Sequence, residues 1–149
     1  MNLRKANDNE YPYRLVLADD DSLYRLALKR ILEEKSDLEI VGEANDGFEL
    51  LSILSSIKPI PQMAIVDISM PNLGGIKATS KIKSTYPGVK VLILSIHREK
   101  EYIREALAAG ADGYLLKEDA DTELFSAIKK IRQGGIYLSS VLVKDREPD

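Results

Sequence analysis

Polar groups of complementary chemistry stand directly after the short apolar runs of this chain. Asp19-Asp20-Asp21 follows Leu15-Val16-Leu17-Ala18, and Asp67 follows Met63-Ala64-Ile65-Val66. Ser95 follows Val91-Leu92-Ile93-Leu94, and Lys117 follows Tyr114-Leu115-Leu116. If these groups converge, the carboxylates cannot sit together unaided. Two of them about 4 Å apart repel by about 4 kcal/mol at an effective dielectric of 20. A divalent cation relieves that repulsion. All-oxygen ligands select a hard ion, and an open site that keeps waters suits magnesium, with manganese next. A lysine neutralises further charge and grips a phosphoryl group as a mobile point charge. A serine hydroxyl donates a hydrogen bond to a phosphoryl oxygen. A carboxylate surrounded by a metal, a lysine and a hydroxyl is equipped to attack phosphorus and form an aspartyl phosphate.

The apolar runs are short and rich in Val, Ile and Leu, as strands buried on both faces are. Leu38-Glu39-Ile40-Val41 is more polar and reads as an edge strand. Between the strands, apolar residues recur at helical spacing: Leu23, Leu26, Ala27 and Ile31; Leu50, Leu54 and Ile57; Tyr102, Ile103, Ala106 and Leu107; Leu124, Ile128 and Ile131. Residues 76–86 give a weaker helical pattern. Asn45-Asp46-Gly47, Pro59-Ile60-Pro61, Gly74-Gly75, Pro87-Gly88, Gly110 and Gly134-Gly135 mark turns. Strand starts near residues 15, 38, 63, 91 and 113 have the spacing of strand–helix units. Five such units predict an α/β domain, a doubly wound parallel sheet with helices on both faces. In such sheets ligands bind beyond the carboxyl ends of the strands, where the polar groups above would gather.

Composition narrows the function further. The chain has 149 residues, enough for one domain. It contains no cysteine and one histidine, which excludes disulfides, thiol nucleophiles and any site needing two histidines. A net charge of −3 argues against nucleic acid as the main partner. No apolar run approaches the roughly 20 residues of a membrane span, and no signal-peptide pattern follows Met1. These features predict a cytoplasmic protein with no membrane partner. Residues 1–12 read as a flexible lead, 13–138 as the domain, and 139–149 as a tail or the start of an interdomain linker. The 13 residues after Ile136 are too few for two DNA-reading helices of about 11 residues each.

At its chemistry-bearing residues the sequence resembles the receiver domain of two-component response regulators. The motifs are Leu17-Ala18-Asp19-Asp20-Asp21, Val66-Asp67-Ile68-Ser69-Met70-Pro71 with Gly74-Gly75, Leu94-Ser95-Ile96-His97, and Ala109-Gly110-Ala111-Asp112-Gly113-Tyr114-Leu115-Leu116-Lys117. The resemblance spans roughly residues 14–138. It implies a flavodoxin/CheY-like fold, with five strands in the order 2-1-3-4-5 and five helices. It implies that Asp67 accepts a phosphoryl group from a histidine kinase, so that the protein catalyses its own phosphorylation and dephosphorylation and is not a metabolic enzyme. Asp20 would ligate magnesium directly, Asp19 through water, and Ser69 through its main-chain carbonyl. Ser95 and Lys117 would engage the phosphoryl oxygens. Tyr114 would be the aromatic switch, its ring moving inward when Ser95 does so.

The wording around Ser95 and Lys117, together with Gly134-Gly135-Ile136-Tyr137-Leu138-Ser139, looks most like the NarL/LuxR group. That group couples the receiver to a helix-turn-helix DNA-binding domain, which this chain does not contain, and some members form homodimers on phosphorylation. Two positions depart from the common receiver pattern: Glu118 replaces a proline, and Ile96 replaces a small residue. Ile96 and His97 are expected to slow water attack on the phosphorylated aspartate. Asp21 is expected to cap the first helix.

Other readings carry discriminating features. A stand-alone receiver acting by protein binding would need no further domain. A haloacid-dehalogenase-like phosphatase would need an acid two residues after the nucleophile, where Ser69 stands. A histidine phosphotransfer domain using His97 would be all-helical, against the strand pattern.

Overall fold

The computed structural model describes residues 12–145. The expected lead over residues 1–12 lies outside them except for Pro12. In chain order the elements are β1 (Tyr13–Ala18), α1 (Ser22–Leu32), β2 (Leu38–Ala44), α2 (Gly47–Ser56), β3 (Met63–Val66) and α3 (Gly75–Thr85). They continue with β4 (Lys90–Ser95), α4 (Lys100–Ala108), β5 (Gly113–Leu116), α5 (Ala120–Arg132), β6 (Tyr137–Leu138) and α6 (Ser140–Asp145). A single 3-10 turn, Lys117–Asp119, joins β5 to α5.

The strands form one parallel sheet in the order β2-β1-β3-β4-β5-β6. The expected order 2-1-3-4-5 is present, and the count of five is corrected to six. β6 has only two residues and follows Gly134, whose φ of 94° turns the chain. Main-chain bonds from Tyr137 N–H to Asp112 O and from Ser139 N–H to Tyr114 O seat it on β5, and Ser139 Oγ accepts from Leu116 N–H. A two-residue strand leaves no readable alternation, so periodicity misses it. The expected count of five helices is likewise exceeded by α6, which occupies the first part of the predicted tail and buries Leu142.

Alternation along the strands separates two cores. Val16, Ala18, Ala64, Val66, Val91, Ile93, Tyr114 and Leu116 face the side covered by α2, α3 and α4. Leu15, Leu17, Met63, Ile65, Leu92, Leu94 and Leu115 face α1 and α5. This is the period of two that a sheet covered on both sides requires. β3 and β5 are buried at every position, whereas β2 keeps only Ala44 buried, as its edge position dictates. Each fully buried Leu or Ile contributes about 1.5–3 kcal/mol, so these stripes hold the strand ends, and what they carry, at fixed spacing. Among the described residues, no helix is long and apolar enough to cross a membrane.

Candidate functional site

Asp19 and Asp20 leave the end of β1, Asp67 the end of β3, Ser95 closes β4, and Lys117 follows β5. β1, β3, β4 and β5 are neighbours in the sheet, so residues 98 positions apart meet at one edge. Asp19, Asp20 and Asp67 each offer a carboxylate oxygen, and these atoms all lie within 4.8 Å of one another. Asp19 and Asp67 are buried at 5% and 7% exposure, whereas Asp20 faces solvent. Lys117 Nζ lies 2.8 Å from Asp19 Oδ2 and 3.5 Å from Asp67 Oδ2. One ammonium among three carboxylates leaves an excess of negative charge.

Burial pushes the Asp67 carboxyl up to about 6. Lys117 opposes the shift, the neighbouring Asp19 adds to it, and the Ser69 main-chain N–H and the Lys117 hydrogen bond lower it. A buried carboxylate with a like charge beside it ionises at a cost, and a bound cation would lower that cost. The donor set is all oxygen, acidic and open to solvent at Asp20, so it fits a hard divalent ion. Asp19, Asp20 and Asp67 are the side chains that would hold it.

The backbone shapes the site as closely as the side chains do. Asp21 caps α1 by accepting from Leu23 N–H and Tyr24 N–H at 3.1 and 3.0 Å, as the sequence predicts. Its own N–H donates to Asp19 Oδ1 at 2.9 Å, which fixes one oxygen of that carboxylate. Gly75 opens α3 with its Cα pressed on the main chain of Asp67, where a Cβ would collide with the Asp67 carbonyl. Gly74-Gly75 is therefore a close approach of backbones behind the candidate nucleophile.

The remaining expected residues surround the carboxylates, some in the core and some at the rim. Ser95 is fully buried, and its Oγ accepts from His97 N–H at 3.0 Å. Tyr114 is also fully buried, and its hydroxyl donates to His97 O at 2.7 Å. The ring is thus already inward in this conformation. Burial pushes its hydroxyl up to about 12 against a lowering contribution from Ser95. Ile96 is 71% exposed. His97 Nε2 lies 3.0 Å from Ser69 Oγ.

Several members of the site were not legible in sequence. The Tyr24 ring lies 4.3 Å beneath Lys117 Nζ, and burial together with Asp19, Asp67 and Asp121 pushes its hydroxyl well up. Arg25 donates to the Asp19 carbonyl and bonds Glu43 at 3.0 Å, tying α1 to β2 under the acidic loop. Asn72, with a left-handed φ of 65°, donates to Asp46 Oδ2 at 2.7 Å. Tyr24 stands one helical step beyond the cap, a position that could have flagged it. The Arg25–Glu43 and Asn72–Asp46 contacts join elements farther apart in sequence.

Comparison with known proteins follows the same lines. The profile of the response regulator receiver domain matches residues 15–129. The transcriptional regulatory protein DegU of Brevibacillus brevis is 40% identical over 131 residues, covering 87% of this chain and 54% of the relative. The oxygen regulatory protein NreC of Staphylococcus epidermidis is 36% identical over 130 residues, covering 87% and 59%. A crystal structure of a two-component response regulator of the LuxR family from Aurantimonas sp. SI85-9A1 superposes with a TM-score of 0.84 at 28% identity, covering 89% of this chain and 94% of that one. The chain spans little more than half the length of the curated relatives it matches.

Proposed function

This chain belongs to the response regulator receiver domain family, and from that premise we propose that Asp67 takes a phosphoryl group from the phosphohistidine of a histidine kinase. The observation that carries the proposal is the meeting of Asp19, Asp20 and Asp67 within 4.8 Å beside a single ammonium, Lys117. An Asp67 carboxylate oxygen attacks phosphorus, the phosphorus–nitrogen bond breaks, and the departing imidazole nitrogen keeps the electron pair. Charge develops on the three equatorial phosphoryl oxygens. Lys117 moves from Asp19 and Asp67 toward one of them, and the Ser95 hydroxyl donates to another. Asp20, Asp67, the Ser69 main-chain carbonyl and, through water, Asp19 would hold magnesium or manganese, which would supply the remaining neutralisation. The same groups serve hydrolysis of the phosphorylated aspartate, with Ile96 and His97 at the rim slowing the approach of water.

Two-component signalling of the NarL/LuxR type is the setting. Receiver residues 13–138 would switch through Ser95 and Tyr114, and a coupling of about 1–3 kcal/mol suffices to change partner affinity several-fold or more. The greater length of the relatives supports a helix-turn-helix domain in the full protein as the output, reached through the segment after residue 138, with homodimerisation on phosphorylation. A cytoplasmic location suits a kinase-driven switch. Incubation with magnesium and acetyl phosphate, read by intact mass, tests the central claim. One phosphoryl adduct on the native chain that disappears in Asp67→Ala is the expected result. No adduct, or an undiminished one in that variant, overturns it.

A further inference from the structure

His97 binds the loop after β4 to its surroundings at several points, beside the exposed Arg98–Glu118 pair. His97 N–H donates to Ser95 Oγ and His97 O accepts from the Tyr114 hydroxyl. Both proposed switch side chains therefore report on the position of the His97 main chain. The His97 ring is clamped in turn. Nε2 lies 3.0 Å from Ser69 Oγ, the face stacks on Tyr102 of α4 with centroids 4.3 Å apart and planes at 23°, and Nδ1 lies 3.7 Å from Glu99 Oε2. Only 23% of the side chain is exposed. The ring thus bridges the loop after β3, which carries the candidate metal ligands Asp67 and Ser69, to the first turns of α4.

We propose that His97 is a positioning residue that sets the Ser69 main chain for metal binding and joins that loop to Tyr102 on α4. Among the described hydrogen bonds the Ser69 hydroxyl meets His97 Nε2 while the Ser69 N–H bonds the Asp67 carboxylate, so the His97 ring and Asp67 together set the direction of the Ser69 carbonyl. The clamp makes metal uptake and the α4 surface parts of one unit. This rests on the metal site proposed above, and the tests separate the two.

Magnesium affinity is measured by amide chemical-shift titration of the native chain and of His97→Ala, Ser69→Ala, the double variant and His97→Gln. Truncation of either partner is expected to weaken magnesium binding about three- to tenfold, the size of one hydrogen bond. The double variant should be no weaker than either single one, because both remove the same contact. His97→Gln, which retains a donor toward Ser69, should recover most of the loss. In the native chain magnesium should also shift the Tyr102 and Lys100 amides, and in His97→Ala those shifts should shrink while shifts at Asp19 and Asp20 persist. Equal affinity in His97→Ala and native protein, additive losses in the double variant, or undiminished α4 shifts overturn the proposal and leave the metal site standing. A native chain that binds no magnesium overturns both.

Discussion

Two acid–base clusters of this domain, one half-buried and one largely buried, have opposite character. Behind the sheet, Lys83 Nζ of α3 meets Asp112 Oδ2 at 2.6 Å, with both side chains 18% exposed. The same carboxylate oxygen accepts from Val91 N–H at 2.9 Å. One negative charge faces one positive charge, and a main-chain donor completes the carboxylate's hydrogen bonding. At the carboxyl edge, three carboxylates share one lysine, and Asp67 is driven up to about 6 by burial. The first cluster joins α3 to the loop before β5 and asks for nothing more. The second is incomplete on its own, and the cation and phosphoryl group proposed above would satisfy it. Unbalanced buried charge is destabilising, so a fold that retains it does so for the sake of binding or chemistry.

The sharpest break of this contrast is substitution at each centre. Asp67→Asn should abolish the phosphoryl adduct, yet raise the unfolding free energy of the metal-free protein by about 1–3 kcal/mol at pH 7, the order of the penalty implied by its shifted carboxyl. Asp112→Ala should do the reverse. It should lose about 1–3 kcal/mol by stranding Lys83 and the Val91 N–H, while still accepting a phosphoryl group. Urea unfolding alongside intact mass reads both. Equal destabilisation by the two variants would remove the distinction.

The pH dependence sharpens it next. The Asp67 carboxyl has a folded value of about 6 against 3.8 for the ordinary group. The folded state therefore holds the proton more tightly. Its contribution is fully present below about pH 4 and is lost as pH rises through 6. Metal-free native protein should lose stability over pH 4–6 relative to Asp67→Asn, as denaturant midpoints across that window will show. Magnesium at pH 7 should in turn raise the native melting temperature by a few degrees and leave that of Asp67→Asn nearly unmoved. The smallest effect belongs to the exposed pair Arg98–Glu118, 3.7 Å apart and more than half exposed on both sides. Glu118→Gln should change stability by less than about 0.5 kcal/mol.

Sequence reached far into the fold because period-two stripes and helical faces are written locally. All five expected strands and three of the four strong helical faces occupy the positions their patterns indicate, and the weaker pattern at 76–86 becomes α3 over Gly75–Thr85. On α1 the expected face is corrected: Leu23, Leu26 and Ala27 lie in solvent, and Ile31 packs inward with Tyr24, Leu28 and Leu32 instead. Asp21 capping α1 was legible for the same reason, since a cap acts across two or three residues. β6 and α6 were not: one is two residues long, and the other is held by Leu142 reaching a core built from distant strands.

The types and order of the reactive groups, the strands that carry them, and the edge to which they point were therefore determined by sequence alone. Local periodicity and the rule for parallel sheets suffice for that. Only the tertiary structure decided that Lys117 rests on Asp19 at 2.8 Å and over Tyr24, that Tyr114 lies inward on the His97 carbonyl, and that His97 reaches back to Ser69. Those contacts depend on loop conformations and rotamers chosen jointly by several elements. No run of neighbouring residues encodes a distance between strands, because the packed core sets it.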